Sequence, residues 1–186
     1  MSEFERRLVA AQAGDEVAFA LLYRSVQPLL LRYLRTLGGY LAEDCAAEAW
    51  LNVVAGVGRF VGDESGFRAW VFTIGRRRVV DAQRRSARAE FVCEDPYGLR
   101  GDHAHAAADV EVTFEESQAT ARAVDLLARL PVEQREAVFL RHVAGLDVKQ
   151  TAEVLGRSAG SVRVATHRGL RRLGAMVTDA SEAAGQ

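Results

Sequence analysis

An all-α protein made of two small helical domains joined by an acidic linker is predicted by three features of this chain. Apolar residues recur at three- and four-residue steps through the N-terminal half, residues 130–173 carry a helix-turn-helix pattern, and a stretch rich in acids and turn formers lies between them. At 186 residues and 49% hydrophobic composition the chain can fill two modest cores. The boundaries expected are 1–89 for the first domain, 90–112 for the linker, 113–177 for the second domain and 178–186 for a disordered tail.

The first helix is expected from about Glu3 to Ala13, closed by Gly14-Asp15, and the second from Glu16 to about Leu37, before Gly38-Gly39. In the second, Phe19, Leu22, Tyr23, Val26, Leu30, Tyr33, Leu34 and Leu37 form one broad buried face, and Pro28 is a point of possible bending. A third helix, about Ala42 to Val57, carries the outward acidic pair Asp44 and Glu48 one turn apart, with Ala47 and Leu51 beside them. No histidine, cysteine or glycine loop converges on that pair, so a docking surface is favoured over catalysis.

Next comes a loop, Arg59 to Ser65, whose residues Phe60, Val61, Gly62, Asp63 and Glu64 combine turn formers with one large aromatic ring. A fourth helix from about Gly66 to Ala87 places Val71, Ile74 and Ala82 on one side and Arg77, Arg84 and Arg88, with Asp81, on another. Phe67, Trp70 and Phe72 precede the cationic cluster. Interleaved aromatic and basic residues can hold unstacked bases beside phosphates, although Trp70 and Phe72 taken singly read first as core.

The net charge of −1 conceals segregation along the chain. Arg68, Arg76, Arg77, Arg78, Arg84, Arg85 and Arg88 face only Asp81, whereas the next segment carries Glu90, Glu94, Asp95, Asp102, Asp109, Glu111, Glu115 and Glu116 against Arg100. That acidic segment, with Pro96, Gly98, Gly101 and an alanine-rich run, reads as a linker that is either a solvated tether or a charged segment that occupies a positively charged channel or shields the basic helices when no DNA is present.

In the C-terminal third, Pro131 is expected at the first position of a helix running to about Val143, and Glu133 suits the positive end of its dipole. Gly145 supplies a left-handed turn, Asp147 caps a short helix ending near Leu155, and Gly156 makes the next turn, with small Ala152 permitting a close crossing. On the final helix Val162, Ala165, Thr166, Gly169 and Leu173 share one side; Val164, His167, Arg168 and Arg171 fall opposite, with Arg163 on the flank. An apolar stripe backed by a basic one fits a helix that docks on its module and enters a major groove.

The N-terminus is charged and no apolar run reaches membrane-spanning length, so the expected location is cytoplasmic, without membrane insertion. Cys45 and Cys93 lack a C-x-x-C partner, and Cys93 with His103 and His105 is a weak metal-ligand set, so neither metal nor cofactor is expected. A nuclease or helicase would want a phosphate-binding glycine loop or convergent metal ligands, and the sequence offers neither.

Three segments together resemble bacterial sigma factors of the extracytoplasmic-function type, a branch of the sigma-70 family. They are Ala42-Glu43-Asp44-Cys45-Ala46-Ala47-Glu48-Ala49-Trp50-Leu51, then Phe67 through Asp81 (FRAWVFTIGRRRVVD), then Leu130-Pro131 through Leu173, in the family's order. The resemblance implies a region 2 module that binds the clamp helices of core RNA polymerase and opens the minus-ten element. It also implies a region 4 module that reads the minus-thirty-five element and touches the polymerase flap. Carried over, Asp44, Ala47, Glu48 and Leu51 meet the clamp. Phe60, Gly62, Asp63, Glu64 and Ser65 capture a flipped base, with Arg68, Arg76, Arg77 and Arg84 holding adjacent DNA. Ser158, Ser161, Arg163, Val164, His167, Arg168 and Arg171 meet the upstream groove. Flipping a base takes a few kcal/mol, so a pocket that recovers stacking makes melting sequence-selective. An anti-sigma partner is implied as well, and association with the nucleoid when in holoenzyme.

Three departures stand out from the family pattern. Ala47 replaces a usual glutamine, Val164-Ala165-Thr166 replaces a more usual serine-arginine-leucine, and no substantial extension follows Met176. The alternative reading, a stand-alone helix-turn-helix regulator, accounts for the C-terminal module but leaves the acidic pair and the aromatic-basic helix without a role.

Overall fold

The computed structural model describes residues 1–92 and 125–184, with side chains described to residue 88 in the first segment and to 178 in the second. Among the described residues all regular structure is helical: α1 (Glu3–Gln12), α2 (Glu16–Gly38), α3 (Ala42–Gly56), α4 (Glu64–Val92), α5 (Val132–Val138), α6 (Val148–Leu155) and α7 (Ala159–Ala184). Short 3-10 turns at Gly39–Leu41 and Val57–Arg59 flank α3, residues 125–128 are helical, and α5 passes into a π-helical turn at Phe139–Val143.

Local chemistry sets the helix ends. The Ser2 hydroxyl accepts from Glu5 N at 3.1 Å while the Glu5 carboxylate accepts from Ser2 N at 2.7 Å, a reciprocal cap that starts α1. Asp15 caps α2 by accepting from Ala18 N at 3.0 Å. Helix α4 begins two residues earlier than its sequence pattern implies. Asp63 Oδ1 accepts from Gly66 N at 2.7 Å, which draws Glu64 and Ser65 out of the loop and into the first turn.

Helix α2 is the axis of the first module. Its Leu22, Val26, Leu30 and Leu34 are buried together with Val53 of α3 and Val71 and Phe72 of α4. Where α4 crosses α2 the contact residue is Gly75, and a Cβ there would lie 2.8 Å from Leu30 Cδ1, so a larger residue would force the buried Leu30 side chain to shift. Trp50 closes the outer edge, edge-on to Phe19 at 6.1 Å and tilted on Tyr23 at 4.7 Å, with its Nε1 donating to Gln27 Oε1 at 2.6 Å.

The second module matches its sequence pattern with two differences. Pro131 (φ −52°, ψ 142°) is the residue before α5 rather than its first helical position. Helix α7 continues to Ala184, through the stretch read as a disordered tail, whose alanine-rich composition favours helix. Asp147 and Gln150 cap α6 reciprocally, at 2.8 and 2.9 Å, and Gly145 (φ 70°) and Gly156 (φ 64°) turn the chain on either side of it. At Gly169, α7 lies so close to α5 that a Cβ would sit 2.6 Å from Val138 Cγ2.

The two modules do not stand apart. Tyr33 of α2, Phe72 of α4 and Phe139 of the π turn are each 0% exposed, and the Tyr33 ring lies 5.3 Å from Phe72 and 5.5 Å from Phe139. One apolar cluster therefore runs through both modules, where the sequence pattern predicts two cores joined by a tether. Phe139 alone contributes about 2–3 kcal/mol of burial. The linker expected at 90–112 shares its first residues with α4, and the rest lies outside the described residues.

Candidate nucleic-acid interface

Helix α3 presents one face to solvent. Asp44, Ala47, Glu48 and Leu51 are all exposed, Leu51 by 71% and its neighbour Val54 by 56%, while Cys45, Ala46, Ala49 and Val53 on the opposite side are buried. Beside this face Tyr23, Gln27, Leu31, Glu43, Ala47 and Trp50 line a shallow groove. Glu48 lies 3.7 Å from Arg78 of α4, and Glu43 accepts from Arg35 at 2.9 Å. The outward exposure of Asp44, Ala47, Glu48 and Leu51 agrees with the sequence pattern, and apolar side chains with carboxylates on the rim are the composition that a docking surface requires. Burial, followed by the negative Glu48, pushes the Cys45 thiol up, so it packs as a small apolar group.

The loop before α4 is anchored from three directions. Gln12 Nε2 donates to the carbonyls of Val57 at 3.0 Å and Phe60 at 2.8 Å. The Phe60 ring stacks on Trp70 at 5.2 Å and meets Phe67 edge-on at 5.4 Å. Asp63 holds the cap described above and also accepts from Ser65 Oγ at 3.0 Å. The Gly66 amide, followed by the Ser65 hydroxyl, holds its carboxyl below the usual carboxylate range. Phe60, Trp70 and Asp63 thus shape the loop, in which Val61, Gly62, Asp63 and Glu64 are all exposed.

Apart from Arg78, which pairs with Glu48, the basic residues of α4 divide into two sets. Arg77 and Arg84, with Arg85 and Arg88, are exposed. Arg68 and Arg76 turn instead toward the second module. Arg68 Nη1 donates to Ala144 O at 2.8 Å and its Nη2 to Glu64 at 3.1 Å. Arg76 donates through Nε and Nη2 to Glu136 of α5, at 2.7 and 3.3 Å, and Tyr33 Oη donates to the same carboxylate at 2.8 Å. Glu136 is 3% exposed. Burial and then the Glu136 charge push the Tyr33 phenol well up, so it stays a donor. Burial pulls the Arg76 guanidinium down, but its bonds to Glu136 outweigh this and it is held above its ordinary value. Sequence reasoning missed this cluster. Its one local signal is an acid placed immediately before the apolar run Ala137-Val138-Phe139-Leu140.

On α7 the predicted division of faces holds. Val162 is 1% exposed and Gly169 is buried, with Ala165, Thr166 and Leu173 half-buried, whereas Arg163, Val164, His167, Arg168 and Arg171 are exposed. Ser158 Oγ accepts from Ser161 N at 3.2 Å and so caps the helix, leaving Ser161 exposed at its start. Arg157 donates to Glu133 at 2.6 Å, a bond that holds the Glu133 carboxyl below its usual range and ties the turn before α7 to α5. The possible ligands Cys93, His103 and His105 lie outside the described residues. Among the described residues no helix is long and apolar enough to cross a membrane.

Comparison with known proteins matches the sigma-70 region 2 family to residues 22–89 and the sigma-70 region 4 family to residues 121–173. The chain is 33% identical over 171 residues to the ECF RNA polymerase sigma factor BldN of Streptomyces coelicolor, covering 91% of this chain and 64% of BldN, so it spans just under two thirds of that relative. It is 36% identical over 173 residues to the ECF sigma factor ShbA of Streptomyces griseus, covering 89% of this chain and 91% of ShbA. With the ECF sigma factor SigD of Mycobacterium tuberculosis the identity is 32% over 169 residues, covering 88% and 78%. Two solved structures share the fold. CnrH in complex with the cytosolic domain of CnrY superposes with a TM-score of 0.59 at 23% identity, covering 93% of this chain and 96% of that one. The sigma factor RpoE of Bartonella quintana, in complex with the anti-sigma factor NepR, does so with a TM-score of 0.61 at 22% identity, covering 86% and 96%.

Proposed function

The chain belongs to the extracytoplasmic-function sigma factors of the sigma-70 family, and on that premise we propose that it binds core RNA polymerase and directs it to a specific set of promoters. The observation that carries the reading is the presence of both family regions in order, each with an exposed face of fitting chemistry. The outer face of α3 docks on the polymerase clamp helices: Leu51 and Val54 supply apolar area, and Asp44 and Glu48 supply charge that steers and orients the approach. Ala47 offers no side-chain hydrogen bond, so affinity there rests on its neighbours.

At the minus-ten element, the loop Val61 to Glu64 receives an unstacked base while Arg77 and Arg84 neutralise the adjoining strand, and Arg68 and Arg76 join them when free. Because stacking and hydrogen bonds in the pocket are recovered only by a fitting base, opening proceeds without ATP at matching sequences. At the minus-thirty-five element α7 enters the major groove, with Arg163 and Arg168 best placed for base edges and Ser158, Ser161, His167 and Arg171 for phosphates. The second module also contacts the polymerase flap. An anti-sigma protein would control the factor by covering its polymerase-binding faces, as a partner of this kind is named with RpoE. A stand-alone regulator is not favoured, since it leaves the exposed face of α3 unused.

The test is co-elution with bacterial core enzyme followed by run-off transcription on a genomic library with start-site mapping. Asp44→Lys with Glu48→Lys should abolish holoenzyme assembly. A pure chain that fails to co-elute with core enzyme refutes the reading.

A further inference from the structure

We propose that Val164 reads the 5-methyl group of a thymine in the upstream element, so that one base of the promoter is selected by an apolar contact rather than by a hydrogen bond. This rests on the sigma-factor reading and adds to it a specificity-determining side chain beside Arg163 and Arg168.

Val164 is apolar where the fold does not need it to be. Helix α7 is docked by Val162, which is 1% exposed, and by Ala165, Thr166, Gly169 and Leu173 on the same side, whereas Val164 is 49% exposed on the other. The other large apolar residues that α7 leaves exposed, Leu170 and Val177, come later in the helix. At about 100° per residue, Arg168 and Arg171 lie within about 40° of Val164 around the axis, and Ser161 and His167 within about 60°. All four are exposed, so a cationic and polar rim surrounds one branched hydrocarbon tip. The charge draws this face to phosphates, and the valine at its centre meets the base edges between them.

A second observation concerns Gly160, which precedes Val164 by one turn on the same side. Glycine is a weak helix former, yet neither backbone nor packing asks for it here. Its φ is not positive, and a Cβ built on it would meet only Ser158 Oγ, at 4.0 Å. What the missing side chain provides is an unobstructed approach of the start of α7 to a groove floor, with Val164 foremost.

The chemistry of the groove then fixes the occupant. Of the four bases only thymine offers a methyl group to the major groove, and valine has no donor or acceptor with which to read another edge. Covering a purine edge would leave its polar atoms without partners. Valine is also stiff about χ1, so its two methyl groups are held in place before DNA arrives.

The test uses holoenzyme reconstituted from the full chain and core polymerase, on duplexes carrying the upstream box that start-site mapping defines. Each thymine of the box is exchanged singly for uracil, which keeps every hydrogen-bonding atom of the base and removes only the methyl group. For the parent, one exchange should weaken binding roughly fourfold in gel-shift titrations, the loss expected of one buried methyl group. Val164→Ser, an exposed substitution between residues of similar helix propensity, keeps the fold and should bind the thymine and uracil duplexes alike. The proposal is overturned if no single exchange affects the parent, or if Val164→Ser retains the parent's preference. It is equally overturned if Val164→Ser loses co-elution with core enzyme, which would turn Val164 toward protein rather than DNA. In each of these cases the parent still forms a holoenzyme and the sigma-factor reading stands; a parent chain that never co-elutes with core enzyme refutes both.

Discussion

Two glycines of α7 should respond to the same substitution with opposite signs. Replacing a glycine inside a helix by alanine ordinarily stabilises by about 1 kcal/mol, because the unfolded chain loses freedom it no longer has to give up. At Gly174 nothing lies within 4 Å of the added Cβ, so Gly174→Ala should realise most of that gain. At Gly169 the new carbon would meet Val138 Cγ2 at 2.6 Å, with Gln134 Cβ and carbonyl oxygen at 3.3 Å. Val138 is 3% exposed and β-branched, so it cannot swing clear, and α7 must back away from α5. Overpacking of this kind costs about 1–3 kcal/mol, leaving Gly169→Ala about 1 kcal/mol below the parent and about 2 kcal/mol below Gly174→Ala. Urea unfolding followed by far-UV circular dichroism measures this directly. In a chain of this size the gap corresponds to roughly 4–8 °C in Tm. If Gly169→Ala proves as stable as Gly174→Ala, the close crossing of α5 and α7 is not what fixes the glycine.

Asp63→Ala should destabilise by about 1 kcal/mol at neutral pH through loss of the α4 cap. The Asp63 carboxyl is held low by Gly66 N and Ser65 Oγ, so its contribution is full above the unfolded value of about 3.9 and lost as pH falls through the folded one. Parent and variant unfolding curves should therefore converge in acid, and a gap constant from pH 7 to pH 3 would count against the charged cap. Arg168→Ala should weaken binding of the reconstituted holoenzyme to duplex carrying the upstream element by about 1–3 kcal/mol in gel-shift titrations while leaving co-elution with core unchanged; loss of both would break the division of labour between modules. Ala47→Gln, on an exposed site, should leave stability within about 0.5 kcal/mol and tighten association with core polymerase in a fluorescence titration, and weaker association would speak against Ala47 facing the clamp.

Local rules carried the helices, and distance defeated the rest. The caps at Asp147 and Gln150, the left-handed Gly145 and Gly156, and the two-faced pattern of α7 are each written within a few neighbouring residues, and the structure has them. The α3 face was equally legible, since 3.6-residue periodicity alone separates Asp44, Glu48 and Leu51 from buried Cys45, Ala49 and Val53. What periodicity cannot report is which buried faces meet. Tyr33 and Glu136 are 103 residues apart in sequence, and their bond follows from docking rather than from any local pattern. The loop was half legible for a related reason. Asp63 reads as a turn former, but its competition for the Gly66 amide decides that Glu64 and Ser65 are helical.

Among the described residues, the outward side chains of α7 from Ser161 to Arg171 are exposed, and the helix is held by Val162, Gly169 and the half-buried residues on its inner side. Substitutions among Arg163, Val164, His167, Arg168 and Arg171 can therefore accumulate with little effect on folding. On the proposed reading of α7, duplicated copies of such a scaffold are free to diverge toward new upstream sequences one exposed side chain at a time, with preference drifting while architecture stays put.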